Sequence, residues 1–126
     1  MALLHNSALS ERTIKLAIDV HRQLGPGLLE SAYEECLCFE LGQCGVTYAR
    51  QVPLAVIYKE VRLDCGYRMD IVVERELIIE IKAVERILPI HEAQMLTYLR
   101  LSGNRVGLLM NFNCVVLKDG LRRFVL

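Results

Sequence analysis

Residues 67–84 read YRMDIVVERELIIEIKAV, and this stretch decides the fold. Apolar residues alternate with other residues along 67–73 and along 77–84, the period of a β-strand with one buried face. The short loop between them has a length typical of a β-hairpin. One face of the predicted hairpin is continuous core surface, made of Tyr67, Met69, Ile71, Val73, Leu77, Ile79, Ile81 and Ala83.

The other face of the predicted hairpin carries four charges. With the turn centred on Arg75, Asp70 is predicted to lie opposite Glu80, and Arg68 opposite Lys82. Directly opposed Cβ atoms are about 4.5–5.5 Å apart, so like charges in such pairs destabilise a sheet. A register slip of one residue would bury all four charges, and the alternation therefore fixes this pairing.

Two facing carboxylates are compatible with a divalent cation between them. Mg²⁺ is bound by oxygen ligands, commonly one or two carboxylates together with water and a substrate phosphate. Lys82, two residues after Glu80 on the same face, could then orient or deprotonate a water and offset charge that develops on phosphorus. The alternative for the same side chains is a solvated salt-bridge ladder without chemistry.

Outward from the hairpin, the hydrophobic period changes between helical and extended. Ser10 is a candidate N-cap of the first helix, Pro89 is expected to open the third helix, and Gly103 to end it. The dipeptide Asp119-Gly120 is a strong turn signal between the last two strands. The predicted order is ααβββαβββ, a mixed α/β sheet flanked by helices, with helices at 10–24, 28–44 and 89–102 and strands at about 48–58, 67–73, 77–84, 105–112, 114–118 and 122–125.

Length and composition predict one domain over residues 1–126, with residues 1–9 as a frayed terminus. Hydrophobic residues make up 53% of the chain, and 15 basic residues balance 15 acidic ones, which excludes general disorder and a protein that coats nucleic acid through bulk charge. No apolar run reaches the roughly 18 residues of a membrane span. Five cysteines without a C-x-x-C spacing are typical of reduced thiols. We expect a cytoplasmic protein without a membrane partner.

Three motifs resemble those of known nucleases. They are Asp70-x9-Glu80-x-Lys82, the segment GLLESAY at 27–33, and Gln94-x3-Tyr98. The first resembles the metal-binding core of the PD-(D/E)XK nuclease superfamily, and the second resembles the signature of the GxxExxY proteins within it. The third is similar to the QxxxY motif of RecB-like members. The resemblance extends from about residue 14 to residue 124.

The resemblance implies a restriction-endonuclease-like fold and a metal-dependent active site. The cofactor would be Mg²⁺ or Mn²⁺, and the ligands would be Asp70, Glu80, the main-chain carbonyl of Ile81 and Glu30. Lys82 would be the catalytic lysine. Gln94 and Tyr98, which are i, i+4 on one helix face, would position the lysine or the phosphate. From the residues themselves, Arg68 is a candidate phosphate contact, and His91, one turn before Gln94, could reach substrate.

The predicted function is hydrolysis of phosphodiester bonds in nucleic acid, DNA in preference to RNA, and the sequence leaves a homodimer open. An alternative is a catalytically silent nuclease-fold subunit that serves binding or assembly, which the neutral charge favours and the intact Asp-Glu-Lys set opposes. A glycosidase that uses the carboxylate pair is a third interpretation. Lys82 and the absence of tryptophan for sugar stacking count against it.

Overall fold

The central hairpin forms in the predicted register. In the computed structural model, which describes residues 7–126, its strands pair through Ile71–Ile79, Val72–Ile78 and Val73–Leu77. Glu74 and Arg75 have positive φ angles of 53° and 60°, and the N–H of Glu76 donates to the carbonyl of Val73 at 2.9 Å. These are features of a type I′ turn, whose twist matches that of the strands it joins.

The hairpin lies within a five-stranded sheet. The strands are β1 (Tyr48–Tyr58), β2 (Val61–Val73), β3 (Leu77–Lys82), β4 (Val106–Asn111) and β5 (Leu121–Val125). Their spatial order is their chain order, and all neighbours are antiparallel except β3 and β4, which are parallel. A parallel pair requires a crossover connection, and helix α3 (Pro89–Ser102) supplies it with the predicted bounds. The predicted mixed α/β class is confirmed.

Helices cover both faces of the sheet. Helices α1 (Ser7–Leu24) and α2 (Glu30–Gln43) pack on one face, where the core includes Tyr33, Leu37, Leu41, Ile71, Ile79, Ile81, Leu108 and Phe112. Helix α3 packs on the other face, where the core is Leu54, Met69, Val72, Ile78, Met95, Tyr98, Leu99 and Leu109. Across residues 7–126, none of the helices is long and apolar enough to cross a membrane.

A glycine in the sheet makes room for a methionine of α3. Gly107 in β4 lies directly under Met95 of α3, and a Cβ atom at this position would collide with the Met95 sulfur. Both residues are buried. The missing Cβ at Gly107 therefore leaves the space that the Met95 side chain fills between α3 and β4.

The connection between α1 and α2 is held by one tyrosine. Gly25 and Gly27 have positive φ angles of 69° and 100°, which residues with a Cβ rarely adopt. The Tyr33 hydroxyl donates to the carbonyl of Gly25 at 2.6 Å and accepts from the N–H of Leu28 at 3.1 Å. Its fully buried ring stacks on Phe112 with 4.5 Å between centroids. The start of α2 is thereby fixed relative to the sheet.

The predicted start of the first helix is wrong. Helix α1 already includes Ser7, so residues 7–9 are helical rather than frayed, and the rest of the predicted frayed terminus lies outside the described residues. Ser10 is buried inside the helix instead of capping it. The helix extends because its partly buried Leu9 packs against the core that α1 and α2 share.

The predicted strand 114–118 is also wrong. Residues 113–116 bend and Leu117–Gly120 form a short 3₁₀ helix, after which β5 pairs directly with β4. The carbonyl of Cys114 is 2.8 Å from Nε2 of His21, so this segment is tied to α1 and not to a neighbouring strand. Cys114 and the other four cysteines form no disulfide among residues 7–126.

The alternation of β2 changes at Asp70. Met69 and Val72 belong to the same core cluster under α3, although strict alternation would place them on opposite faces of the sheet. Tyr67 also lies towards α3, where its ring meets the ring of Tyr98 edge-on at 6.2 Å. The prediction that Tyr67 and Met69 share the core face of the hairpin with Ile71 and Val73 is therefore wrong, because β2 is irregular at this point.

Candidate active site

β2 and β3 separate at Asp70. Their paired residues end with Ile71–Ile79, whereas β2 remains paired with β1 as far as the turn at its other end. We call this point, where Asp70 of β2 and Glu80 of β3 no longer pair, the fork. Here the N–H of Asp70 donates to Oε2 of Glu80, and the N–H of Ile81 donates to Oδ2 of Asp70, both at 2.8 Å. The structure brings the two carboxylates together across the gap between the strands and not as a regular ladder pair.

Burial makes the charged form of this carboxylate pair unfavourable. Glu80 is only 4% exposed, and desolvation, with the charge of Asp70 as the second cause, raises its pKa to about 8. Burial also raises the pKa of Asp70, and the charge of Glu34 adds to that effect. The positive charge of Lys82 acts in the opposite direction on both groups. The site is therefore short of positive charge, the electrostatic environment that favours binding of a cation.

Lys82 and Glu30 lie at the end of β3. Lys82 is its last residue and is half-buried, and it forms no ion pair within 4.0 Å with an acidic side chain of residues 7–126. Glu30, the first residue of α2, accepts a hydrogen bond through Oε2 from the N–H of Ala83 at 3.2 Å. The start of α2 is thus anchored to the backbone immediately after the lysine.

The two motif residues of α3, Gln94 and Tyr98, are hydrogen-bonded to each other. Nε2 of Gln94 donates to the hydroxyl of Tyr98 at 3.0 Å, so the i, i+4 pair acts as one unit. Tyr98 is buried, and its pKa is raised first by burial and then by the charges of Glu80 and Asp70. The phenol therefore lies within electrostatic reach of both carboxylates.

A family model of the PD-(D/E)XK nuclease superfamily matches residues 7–124. The chain belongs to this superfamily. Comparison with curated proteins and with solved structures gave no match. Membership supports a nuclease-type function in general, and superfamily members generally use divalent metals. The finer assignment to the GxxExxY proteins stays a prediction.

The two predicted substrate-binding residues, Arg68 and His91, form hydrogen bonds with the backbone of the protein itself. Arg68 is exposed, pairs with Pro53 of β1, and donates through Nη1 to the carbonyl of Tyr67 at 3.0 Å. The predicted pairing of Arg68 with Lys82 is wrong, because the strands have already separated at this level. His91 accepts the N–H of Leu88 at Nδ1, at 2.9 Å, and so helps to cap α3.

Sequence reasoning missed a polar network that reaches the superfamily motif from α2. Arg50 donates to Oε2 of the buried Glu34 through Nε at 3.1 Å and Nη2 at 2.9 Å, and its Nη2 lies 3.1 Å from Glu35. Gln51, next in the chain, contacts Glu34 and Asp70. One available signal was the spacing of Glu34, one helical turn after Glu30.

The residues at the fork suit a divalent cation of the type that the superfamily uses. Among residues 7–126, no three His, Cys, Asp or Glu side chains are grouped so that they could hold one ion. The acidic side chains that meet at this point are those of Asp70 and Glu80. Two carboxylates with water and substrate oxygens form a donor set that Mg²⁺ accepts. Within the described chain, Oε1 of Glu80 receives no hydrogen bond, and this oxygen is free to bind a cation.

Proposed function

We propose that this protein is a Mg²⁺- or Mn²⁺-dependent nuclease that hydrolyses phosphodiester bonds, with DNA as its substrate. The observation that carries the proposal is the pairing of the half-buried Asp70 with the buried Glu80 where β2 and β3 separate. Two desolvated carboxylates this close repel each other, and a divalent cation relieves that repulsion. Superfamily membership supports the same chemistry.

The proposed metal ligands are the carboxylates of Asp70 and Glu80 and the carbonyl of Ile81, with Glu30 as a further acidic residue. When bound, the ion supplies Lewis-acid chemistry and lowers the pKa of a water. The amides of Asp70 and Ile81 hold one oxygen of each carboxylate, which leaves the other oxygens for the ion or its waters. The backbone of the fork thus fixes the orientation of the two proposed ligands.

The remaining motif residues act on the substrate and on protons. The ammonium group of Lys82 offsets negative charge that develops on the phosphate, and it orients the attacking water. Tyr98, held by Gln94, presents a hydroxyl beside the carboxylate pair and helps to position the phosphate or the lysine. Arg68 is exposed in β2, two residues before Asp70, and is a proposed contact to a neighbouring phosphate of the nucleic acid.

The size of the domain favours selection of nucleic-acid structure over sequence. Specific readout generally buries about 1,000 Å² or more of protein surface. The equal numbers of acidic and basic residues also leave no excess charge for binding along a long duplex. We therefore propose a nuclease that cuts a particular DNA structure, or one that a partner directs.

The test is a panel of end-labelled single-stranded, duplex and flap DNA together with RNA, each incubated with Mg²⁺, Mn²⁺ or EDTA. Cleavage should require the ion and should be lost in Asp70→Asn. The matched control is Glu76→Gln, which removes one carboxylate charge at an exposed turn position. Ion-independent cleavage, or equal cleavage by Asp70→Asn, would overturn the proposal.

A binding or assembly subunit without catalysis is the second candidate. The observation that favours it is the two-carboxylate donor set, since the described residues offer no third acidic side chain in the group. This candidate predicts that the wild-type protein shifts labelled nucleic acid in a gel yet leaves it intact with either ion. Ion-dependent cleavage would exclude it.

A further inference from the structure

A glutamine in the middle of β1 has the backbone conformation of a turn. Gln51 has a φ angle of 49°, in the left-handed region that residues other than glycine rarely adopt. The pairing of β1 with β2 skips this residue, because Arg50 pairs with Ile71 and Val52 pairs with Met69. Gln51 therefore lies beside Asp70 without forming a ladder pair with it.

This conformation allows two successive side chains to reach one carboxylate. In a regular strand, successive side chains point to opposite faces. Arg50 and Gln51 nevertheless both bind Glu34, Arg50 through Oε2 and Gln51 through Oε1, to which its Nε2 donates at 3.0 Å. Glu34 is 7% exposed and lies within α2, so it is a fixed anchor.

The same amide nitrogen also faces Asp70. Nε2 of Gln51 lies 3.5 Å from Oδ1 of Asp70, and an amide NH₂ has one N–H for each of the two carboxylates. Ionised carboxylates only accept hydrogen bonds, so the nitrogen of the amide, and not its oxygen, must point at them. The other oxygen of Asp70 is held by the N–H of Ile81. Gln51 thus contacts the oxygen that the backbone leaves free.

We infer that Gln51 is a positioning residue, whose side-chain amide, anchored on Glu34, orients Oδ1 of Asp70 towards the divalent cation. The inference rests on the proposed function. Removing a group that orients a metal ligand typically lowers metal affinity by about 10- to 100-fold. Because the contact between Nε2 and Oδ1 is long, we expect the lower end, about tenfold.

The experiment compares Mn²⁺ binding by calorimetry in wild type, Gln51→Met and Gln51→Gly, with melting temperatures measured in EDTA. Gln51→Met keeps the length and the backbone strain but has no amide. Gln51→Gly also lacks the amide but relieves the strain, so it should melt at or above the wild-type temperature. The matched backbone control is Lys59→Gly, because Lys59 has a φ angle of 48° in the exposed β1–β2 turn, away from Asp70.

Both glutamine variants should bind Mn²⁺ about tenfold more weakly than wild type, whatever their melting temperatures, and Lys59→Gly should bind as wild type does. Wild-type affinity in either glutamine variant, or an equal loss in Lys59→Gly, would overturn the inference. If wild type binds no Mn²⁺, or if Asp70→Asn binds it as tightly, the proposed function fails and the role of Gln51 fails with it. If Asp70→Asn alone loses binding, only the role of Gln51 is wrong.

Discussion

The main-chain N–H of Asp70 donates to the carboxylate of Glu80 at 2.8 Å, where β2 and β3 separate. The bond draws the Glu80 side chain into the gap between the strands, and only 4% of the residue remains exposed. A carboxylate in such a position is costly to ionise unless a positive charge is near. The separation of β2 and β3 therefore produces a buried carboxylate that a nearby cation would stabilise.

Glu80→Gln should stabilise the metal-free protein near neutral pH. The pKa of Glu80 rises from 4.5 in the unfolded chain to about 8 in the folded protein. The folded state thus keeps a proton that the unfolded state loses. The contribution of Glu80 to the stability of the wild-type protein is therefore highest below pH 4.5, and it decreases as the pH rises towards 8 and Glu80 loses its proton in the folded state. Glutamine has no such proton to lose, and its carbonyl can still accept the N–H of Asp70.

Melting temperatures in EDTA between pH 4.5 and pH 8 test this prediction. The wild-type melting temperature should fall relative to that of Glu80→Gln, by at least about 4 °C at the upper end. The control Glu76→Gln, at an exposed turn position, should follow the wild type. Parallel curves for wild type and Glu80→Gln would show that burial of Glu80 does not bias its protonation.

Asp70→Asn should separate the metal site from a salt-bridge ladder. The variant keeps an oxygen for the N–H of Ile81 and removes one of two close negative charges, so the metal-free protein should be equally or more stable. It also loses a proposed metal ligand, so millimolar Mn²⁺ should raise the melting temperature of wild type but not of the variant. A ladder predicts the reverse, a destabilised variant beside an ion-indifferent wild type.

The sequence predicted the fold where local chemistry agreed with packing. The hairpin register follows from strict alternation around the turn at Arg75, and α3 has the predicted bounds because Pro89 opens it and Gly103 ends it in a left-handed conformation. The last predicted strand pair failed because a distant contact, from His21 to the carbonyl of Cys114, holds that segment against α1. A contact between residues so far apart in the chain leaves no pattern in the sequence of either segment.

The candidate site was predictable only in part, for a similar reason. From their spacing alone, Asp70, Glu80 and Lys82 were predicted to lie close together. The role of Gln51 was not predictable, because a left-handed conformation at a glutamine costs about 1–2 kcal/mol and arises only where surrounding contacts impose it. The separation of the strands likewise depends on β2 pairing with β1 alone at the residues before Ile71, and alternation does not encode that choice.

Tyr33→Phe should destabilise the fold without changing the site chemistry directly. The change keeps the ring that stacks on Phe112 but leaves the carbonyl of Gly25 and the N–H of Leu28 without their partner. We expect a loss of about 1–3 kcal/mol in the free energy of unfolding, measured by urea denaturation. Tyr58→Phe removes a hydroxyl from an exposed tyrosine and should cost almost nothing. Equal stabilities of the two variants would contradict the role of Tyr33 in holding the loop before α2.

Lys82→Ala should separate catalysis from folding. Lys82 is half-buried at the end of β3 and forms no ion pair within the described chain, so its removal should shift the melting temperature by no more than about 2 °C. Mn²⁺ binding should also remain, since the proposed ligands are untouched. Turnover should nevertheless fall by a factor on the order of 10² or more, because the variant loses the charge that stabilises the developing negative charge on phosphorus. The control is Lys118→Ala, an exposed lysine in the 3₁₀ helix, which should cleave as wild type does. A highly purified Lys82→Ala protein that cleaves at the wild-type rate would remove this lysine from the mechanism.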